Sequence, residues 1–168
     1  MYNKLLKQRN VYLKTTAVNG NSSSDYLDIL TNKMIDYGEK IYNARKKYIN
    51  LLNEKIGEFY NQICGISDLS LEYISDYKNF DKEKIVKKYK DNLSKDIMFG
   101  KTSFGVHHDD IKFKLQGFSI KDYGSEGQQK NAIIAYKLTE LEIFYQLRGN
   151  YPILILDDLF SELDREKI

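Results

Sequence analysis

A long apolar stripe between residues 25 and 64 constrains the fold of this 168-residue chain more than any other feature. Apolar residues recur there in steps of three and four, with a small phase shift after Leu51. The stripe consists of Leu27, Leu30, Met34, Tyr37, Ile41, Ala44, Tyr48, Leu51, Leu52, Ile56, Phe59 and Ile63. A helix of this length would extend about 60 Å and would need other helices to cover the stripe. The sequence therefore predicts one long helix, with a single stutter, inside an antiparallel helical or coiled-coil lobe.

Two flanking segments are the expected partners of this long helix. Residues 1–14 have the pattern of the end of a helix, and residues 82–98 carry an apolar face that begins after a potential cap at Asp81. Polar residues 15–24 are expected to form a loop. The alternating apolar residues of 69–73 predict a short strand or extended link.

The character of the chain changes after Gly100. Residues 111–115 alternate between apolar and polar, which predicts a half-buried strand that turns at Gly117 and pairs back through 118–120. A helix is expected over about 128–147. The continuous aliphatic run 153–156 then predicts a strand that is buried on both faces.

These patterns together predict an α/β fold class with an inserted helical lobe. Residues 1–99 would form the helical lobe, and residues 100–168 would form part of an α/β domain. No internal repeat interrupts this division.

The aliphatic run ends in two carboxylates, Asp157 and Asp158. A buried strand that ends in such a pair is typical of magnesium-nucleotide sites. There, one carboxylate holds Mg²⁺ through water, because a hard cation prefers oxygen ligands, and the next polarises the attacking water. Solvated acids at the end of a structural strand are the alternative interpretation.

A strand of this kind usually works with a GxxxxGK[ST] phosphate loop, and this sequence contains none. The nearest candidate is Gly100-Lys101-Thr102, but the required earlier glycine is replaced by Lys95, and the preceding residues predict a helix rather than a strand. We therefore interpret this segment as a turn.

A second anion-binding candidate is YGSEGQQK, residues 123–130, where two glycines flank Ser125 and a helix follows. The N–H groups at a helix N-terminus attract anions, and the serine hydroxyl adds a donor. The glycine motif is followed by a helix and then by the aliphatic run that ends in Asp157 and Asp158, here called the acid strand. This order favours nucleotide binding as the interpretation of both motifs. Alone, the glycine motif would be interpreted as a common turn.

Two further clusters are less specific. His107, His108, Asp109 and Asp110 are adjacent, so on a strand their side chains would point in opposite directions and would not chelate one ion. We expect structural hydrogen bonds or phosphate contacts there. The many lysines of the helical segments indicate solvated faces, with DNA contact as the alternative.

Composition excludes several classes of protein. The net charge of +2 is too small to indicate nucleic-acid binding, and the single cysteine, Cys64, cannot form an internal disulfide. No apolar run approaches the roughly 20 residues of a membrane span, and the N-terminus lacks a signal core. The expected location is the cytoplasm.

The motifs resemble the RecF family of ABC-type, SMC-like ATPases. The resemblance covers nearly the whole chain in family order, and its first and third stretches are the ones particular to RecF. The stretches are YNKLLKQRNVYLK (2–14), DYGEKIYNARKKYINLLNE (36–54), GKTSFGVHHDDIKF (100–113), YGSEGQQK (123–130) and ILILDDLFSELD (153–164). The resemblance implies a partial ABC-type head, with the signature helix and the Walker B strand. The chain is then expected to be a C-terminal-half fragment that lacks the Walker A region.

The resemblance also implies roles for particular residues. Ser125, Gly127 and Gln128 fall on the ABC signature, which contacts the γ-phosphate of ATP bound to the opposite subunit. Asp157 falls on the Walker B position that holds Mg²⁺ through water. Asp158 stands where the catalytic glutamate is usual, and its shorter side chain is consistent with slow hydrolysis.

Other positions complete the comparison with the family. Ser161 to Asp164 match the D-loop, which crosses the dimer interface. Glu126 replaces the first signature glycine of transporters, as in RecF-like variants. His108 departs from the arginine that is usual in the family.

Taken as a member of this family, the intact protein would be an ATP-dependent DNA-binding protein of recombinational repair, replication and the SOS response to DNA damage. The resemblance implies ATP and Mg²⁺ as cofactors and an ATP-dependent homodimer as the working form. It implies gapped single-stranded and double-stranded DNA, RecR and RecO as partners, and a role in loading RecA. The family is a slow ATPase, and we expect this chain alone to be inactive. The alternatives are another SMC-like or ABC-type head, or a non-enzymatic helical interaction module.

Overall fold

A computed structural model describes residues 1–19 and 24–155 of the chain. Its helices are α1 (Tyr2–Asn19), α2 (Ser24–Asn53), α3 (Ile56–Cys64), α4 (Lys82–Asp91), α5 (Leu93–Phe99), α6 (Ile120–Tyr123) and α7 (Glu126–Arg148), with a 3₁₀ turn at Val106–His108. Its strands are β1 (Leu69–Ile74), β2 (Asp110–Leu115) and β3 (Phe118–Ser119). They form one sheet in the order β1-β2-β3. Within the described ranges, none of the helices is both long and apolar enough to cross a bilayer.

The chain divides into two compact units, each made of two separated segments. The first unit consists of Met1–Arg45 and Ile74–Asp110, and the second consists of Lys46–Tyr73 and the described part of Ile111–Ile168. These units do not have the same bounds as the two lobes that the sequence suggests, residues 1–99 and 100–168. The lobe boundary between residues 99 and 100 stays a prediction.

The first unit is helical, and polar side chains cross-link its helices. Both segments that the sequence predicts as partners of the long helix contact α2. Arg9 of α1 donates from Nε to Thr31 Oγ1 at 3.2 Å, and Lys82 of α4 pairs with Asp36 at 2.7 Å. Helix α1 also packs against α5. The start of α4 is capped as predicted, because Asp81 accepts from the backbone N–H groups of residues 83 and 84.

The second unit contains the apolar core that supports helix α7. Helix α3 packs along α7, and β1 contributes alternate side chains to the same cluster. The fully buried members are Ile49, Leu52, Ile56, Tyr60, Leu69, Leu71, Ile120, Ala132, Ala135 and Ile143. Burial of each large side chain contributes about 1.5–3 kcal/mol, so this cluster holds α7 firmly against α3.

The hairpin predicted at residues 111–120 is confirmed. Strands β2 and β3 are antiparallel, with Lys114 opposite Ser119 and Leu115 opposite Phe118. Gly117 makes the turn at a φ of +83°, in the left-handed region that glycine tolerates best. The short strand β3 leads directly into α6 and then into α7, so the hairpin determines where α7 begins.

The long helix predicted over residues 25–64 is divided in the structure. Helix α2 ends at Asn53 and α3 starts at Ile56, with a turn over Glu54 and Lys55. The break follows the phase shift of the apolar stripe at Leu51–Leu52. Members of the stripe are buried on both sides of the break, Leu30 and Met34 before it and Leu52 and Ile56 after it, whereas Tyr37 and Tyr48 between them are exposed.

Two other boundaries differ from the predictions. Helix α1 continues to Asn19, although residues 15–24 were expected to form a loop. Thr15 accommodates the extra turn because its hydroxyl donates to the Tyr12 carbonyl at 2.8 Å. The helix predicted over 82–98 is interrupted at Asn92, where the backbone stays right-handed at φ −85° and ψ −6°.

The buried strand predicted at residues 153–156 is not formed within the described part of the chain. Residues 151–155 adopt no regular structure, and the side chains of Ile153 and Ile155 are 93% and 85% exposed. A buried parallel strand needs a hydrogen-bonded neighbour on each side. The described sheet consists of β1, β2 and β3 and provides none to this segment.

Candidate functional site

The sequence places its candidate site residues in two groups. Ser125, Gly127 and Gln128 lie together at the N-terminus of α7. Asp157, Asp158, Ser161 and Asp164 lie outside the described residues, so their roles stay predictions.

Ser125 is the N-cap of helix α7 and forms a capping box with Gln128. Its Oγ accepts from the Gln128 backbone N–H at 3.2 Å, and the Gln128 Oε1 accepts from the Ser125 backbone N–H at 2.9 Å. The helix therefore starts two residues earlier than the sequence predicts. Since Oγ acts as acceptor in this box, the hydroxyl proton of Ser125 is left to donate to a group outside the helix.

The chain reaches Ser125 through a tight passage at Gly124. A Cβ on Gly124 would lie 2.5 Å from the Ile120 carbonyl oxygen, and the Gly124 N–H donates to that same oxygen at 2.9 Å. Gln129 reaches back to the Gly124 carbonyl at 3.0 Å. These contacts fix the direction of the chain as it enters α7.

Gly127 differs from Gly124, because nothing lies within 4 Å of a Cβ built on it. Its φ is not in the left-handed region, so neither the backbone nor the neighbouring packing requires glycine there. Glycine in a helix costs about 1 kcal/mol relative to alanine. The packing of the described residues therefore gives no reason for glycine at this position.

The start of α7 is an exposed, anion-attracting surface. Ser125, Glu126 and Gly127 are all exposed. The first N–H groups of any helix have no intrahelical acceptor, and those of a 23-residue helix carry the positive end of its dipole. With the serine hydroxyl, they can bind a phosphate that approaches along the helix axis.

The segment Gly100-Lys101-Thr102 is a turn, as the sequence suggests. Gly100 terminates α5 in the left-handed conformation at a φ of +60°. Thr102 is buried, its N–H donates to Asn10 Oδ1 at 2.8 Å, and its Oγ1 accepts from Arg9 Nη1 at 2.7 Å. The hydroxyl and the N–H of Thr102 therefore both form hydrogen bonds within the first unit.

The adjacent histidines and aspartates make structural hydrogen bonds. His107 Nδ1 bonds with the Tyr2 hydroxyl at 2.9 Å, and its Nε2 donates to the Thr102 carbonyl at 3.1 Å. Arg45 pairs with Asp109 at 2.7 Å and donates to the Val106 carbonyl. Within the described ranges, no group of three or more histidine, cysteine or acidic residues is arranged to hold a metal ion.

We expect the stability of the first unit to fall on mild acidification because of His107. Burial lowers the pKa of His107 below its usual 6.5, and the nearby His108 lowers it further. The unfolded chain then binds a proton more readily than the folded chain. The contribution is therefore complete above pH 6.5 and is lost as the pH falls below it.

Urea unfolding followed by circular dichroism between pH 7.5 and 5.5 measures this effect. The wild type should lose stability toward pH 5.5, and His107→Gln should reduce that slope. His108→Gln is the comparison and should reduce the slope less than His107→Gln does, because it removes the charge of His108 but leaves His107 buried, which is the larger cause of its lowered pKa. An unchanged slope in His107→Gln would show that another group controls the acid sensitivity.

Sequence reasoning did not anticipate two features of the structure. One is a buried ion pair between Arg9 and Asp96, which are 87 positions apart. The other is an exposed aromatic pair, Phe118 and Tyr123, immediately before Ser125. Alternation along 111–120 indicated the hairpin but gave no sign that these two rings would meet.

Comparisons with known proteins agree with this architecture. No protein-family model matches the chain. Among curated proteins, "DNA replication and repair protein RecF" of Clostridium perfringens is 39% identical over 166 residues, which are 97% of this chain and 45% of that protein. RecF of Shouchella clausii is 37% identical over 172 residues, covering 98% of this chain and 46% of that protein. The chain thus spans less than half the length of these relatives.

Solved structures give the same result. The recombination mediator protein RecF-ATPrS in the RecFOR pathway superimposes with a TM-score of 0.86 at 32% identity, covering 97% of this chain and 45% of that one. RecF-ATP superimposes with a TM-score of 0.87 at 31% identity, covering 98% of this chain and 46% of that one.

Fold and similarity define the class of protein as an ABC-type ATPase head with a helical lobe, here over the part that carries the signature helix. Within that class, the chain belongs to the RecF family. The family resemblance predicted from the sequence is therefore confirmed.

Proposed function

We propose that this chain supplies the signature side of an ATP-binding interface in a RecF-type protein of DNA replication and recombinational repair. The observation that carries the proposal is the start of α7. There an exposed serine both caps a 23-residue helix and keeps a proton to donate. Solved relatives that match nearly the whole chain are described with ATP or ATPrS.

In this proposal the γ-phosphate of ATP, held by a second subunit, binds at the N-terminus of α7. The Ser125 hydroxyl and the first N–H groups of the helix donate to it. The open space beside Gly127 allows the phosphate to approach the backbone, which accounts for a glycine that packing does not require.

The roles of the residues beyond α7 follow from the same assignment. Asp157 would hold Mg²⁺ through water, Asp158 would polarise the attacking water, and Ser161 and Asp164 would lie in the D-loop. Because each signature completes the partner's site, ATP would act mainly as a switch for a homodimer. The chain alone would not hydrolyse ATP.

We place the working protein in the cytoplasm, on gapped single-stranded and double-stranded DNA. It would act with RecR and RecO to load RecA. These partners belong to the whole family protein, of which the chain spans 45% in the matched relatives. They therefore rest on family membership, whereas the nucleotide contact rests on α7.

A mixing experiment tests the nucleotide contact. The 168-residue chain is combined with Clostridium perfringens RecF in which the residue aligned with Ser125 is replaced by arginine, so that the relative cannot complete its own sites. Sedimentation velocity is measured with ATP and Mg²⁺, with ADP, and without nucleotide. We expect association with ATP only.

The Ser125→Asp variant should weaken this association about 10- to 100-fold, because a carboxylate faces the phosphate and the hydroxyl donor is gone. Ser125→Asn is the matched control, since asparagine and aspartate are equally good N-caps but asparagine carries no charge. It should bind within a few-fold of wild type. Circular dichroism should show equal helix content in all three proteins.

Three results would refute the proposal. The wild-type chain could associate without ATP, or it could fail to associate at all. The aspartate variant could also bind as tightly as the asparagine variant.

A further inference from the structure

An exposed pair of aromatic rings lies immediately before the signature serine. Phe118 in β3 is 66% exposed and Tyr123 at the end of α6 is 78% exposed. Their ring centroids are 6.1 Å apart, and their planes meet at 71°, an edge-to-face arrangement. Edge-to-face pairs of this kind are favourable, so the two rings hold each other in place.

The packing of the second unit does not use these rings. Ile120, between them in sequence, is the residue that enters the core at 5% exposure. Phe118 lies at the hairpin end opposite Leu115, and α6 then carries Tyr123 away from the core. Two large rings therefore remain in solvent although their neighbour is buried.

The rings are continuous with the proposed phosphate site. Only Gly124 separates Tyr123 from Ser125, so their Cα atoms are at most about 7 Å apart. The close approach of Gly124 to the Ile120 carbonyl fixes the path between them. Tyr123 and the donors of α7 thus belong to one rigid turn.

We propose that Tyr123, supported by Phe118, stacks on the base of the ATP whose γ-phosphate contacts Ser125. This inference rests on the proposed function, because it needs ATP from a second subunit at the start of α7. A nucleoside triphosphate carries its base at the end opposite the γ-phosphate. The exposed ring of Tyr123 extends from the turn that leads into α7, so the chain offers both kinds of contact that such a ligand needs.

The flat shape of the exposed tyrosine ring suits a base. A purine presents a flat π-face of about the size of one ring. Stacking of one base on an aromatic side chain has an effect large enough to measure by substitution.

The test uses the mixture described above, with a triphosphate of 2-aminopurine riboside in place of ATP. The fluorescence of 2-aminopurine is quenched when it stacks. We expect quenching on association with the wild-type chain and much weaker quenching with Tyr123→Ala. Tyr123→Ala should also weaken ATP-driven association about tenfold, in line with the loss of one stacked base.

Two matched variants separate stacking from other effects. Tyr123→Phe keeps the ring and should restore quenching and association to near wild type. Phe99→Ala removes an aromatic side chain of the first unit that is 61% exposed and should change neither measurement.

The outcomes distinguish this inference from the function on which it rests. If Ser125→Asp abolishes association but Tyr123→Ala behaves like wild type, the base contact is wrong and the phosphate contact stands. If Tyr123→Ala weakens association but quenching persists in the remaining complex, the ring contacts protein, and the inference is again wrong. If Ser125→Asp has no effect, both fail.

Discussion

We expect Asp96→Ala to lower the free energy of unfolding by about 3–5 kcal/mol, because it leaves the buried guanidinium of Arg9 without its counter-ion. The side chains of Asp96 and Arg9 are 0% and 1% exposed, and Arg9 Nη1 lies 2.8 Å from Asp96 Oδ2. The desolvated charge is therefore uncompensated in the variant.

The carboxylate of Asp96 also anchors the chain beyond α5. Its Oδ1 accepts from the Ser103 N–H at 2.9 Å and from the Ser103 hydroxyl at 2.6 Å. Arg9 in turn donates to Thr31 in α2 and to Thr102. One ion pair thus links α1, α2, α5 and the following turn, so we expect the whole first unit to lose stability.

Urea unfolding followed by circular dichroism measures this loss. Asp36→Ala is the matched control, since it breaks the exposed pair with Lys82, in which both side chains are more than half exposed. Exposed pairs contribute about 0–1 kcal/mol, so this variant should stay close to wild type.

A double variant tests the physical cause. Arg9→Met combined with Asp96→Ala removes the unpaired charge and should recover part of the lost stability. If the double variant is less stable than Asp96→Ala alone, uncompensated charge is not the reason for the effect.

Local patterns predicted those elements that depend on neighbouring residues. Strand β1, the cap at Asp81 and the β2–β3 hairpin follow from alternation, a capping side chain and a turn glycine, and all are confirmed. The break between α2 and α3 was visible only as a phase shift. Phase alone does not distinguish a stutter within one helix from a turn between two.

Long-range pairs and the environment of the acid strand could not be predicted in this way. Arg9 and Asp96 carry no pattern that joins them across 87 positions. The aliphatic run at 153–156 has the composition of a buried strand, but burial depends on neighbouring strands that a local pattern does not specify. Ile153 and Ile155 are exposed in the structure, although the run has the composition of a buried strand.

The candidate site was partly predictable for a similar reason. The order of glycine motif, helix and acid strand placed Ser125 at a helix start, and the capping box confirms that placement. The rings of Phe118 and Tyr123 meet only because the hairpin and α6 fold back together. Their proximity is a property of the turn, and a linear sequence gives no sign of it.

We expect Gly105→Ala to destabilise the first unit by roughly 2–5 kcal/mol, through backbone strain and overpacking together. Gly105 has a φ of +134°, which residues other than glycine rarely adopt. A Cβ there would lie 2.6 Å from the hydroxyl oxygens of both Tyr2 and Tyr89. Both tyrosines are buried, at 4% and 2% exposure, so neither can move aside cheaply.

Gly65→Ala is the matched control for strain alone. Gly65 is also left-handed, with a φ of +69°, but nothing lies within 4 Å of an added Cβ. This variant should therefore lose only about 1–2 kcal/mol. Equal losses at Gly105 and Gly65 in urea unfolding would show that the tyrosine hydroxyls do not resist the new methyl group.

The hydroxyl of Tyr2 provides a direct test of that resistance. In wild type, Tyr2→Phe should be destabilising, because it removes the hydrogen bond to His107 Nδ1. In the Gly105→Ala background the same change removes one of the two clashes, so its cost should shrink or reverse. A double-mutant cycle over the two positions measures this coupling, and additive losses would contradict the steric account. Such coupling would show that glycine is required at residue 105 by the buried hydroxyls around it as well as by its own backbone angle.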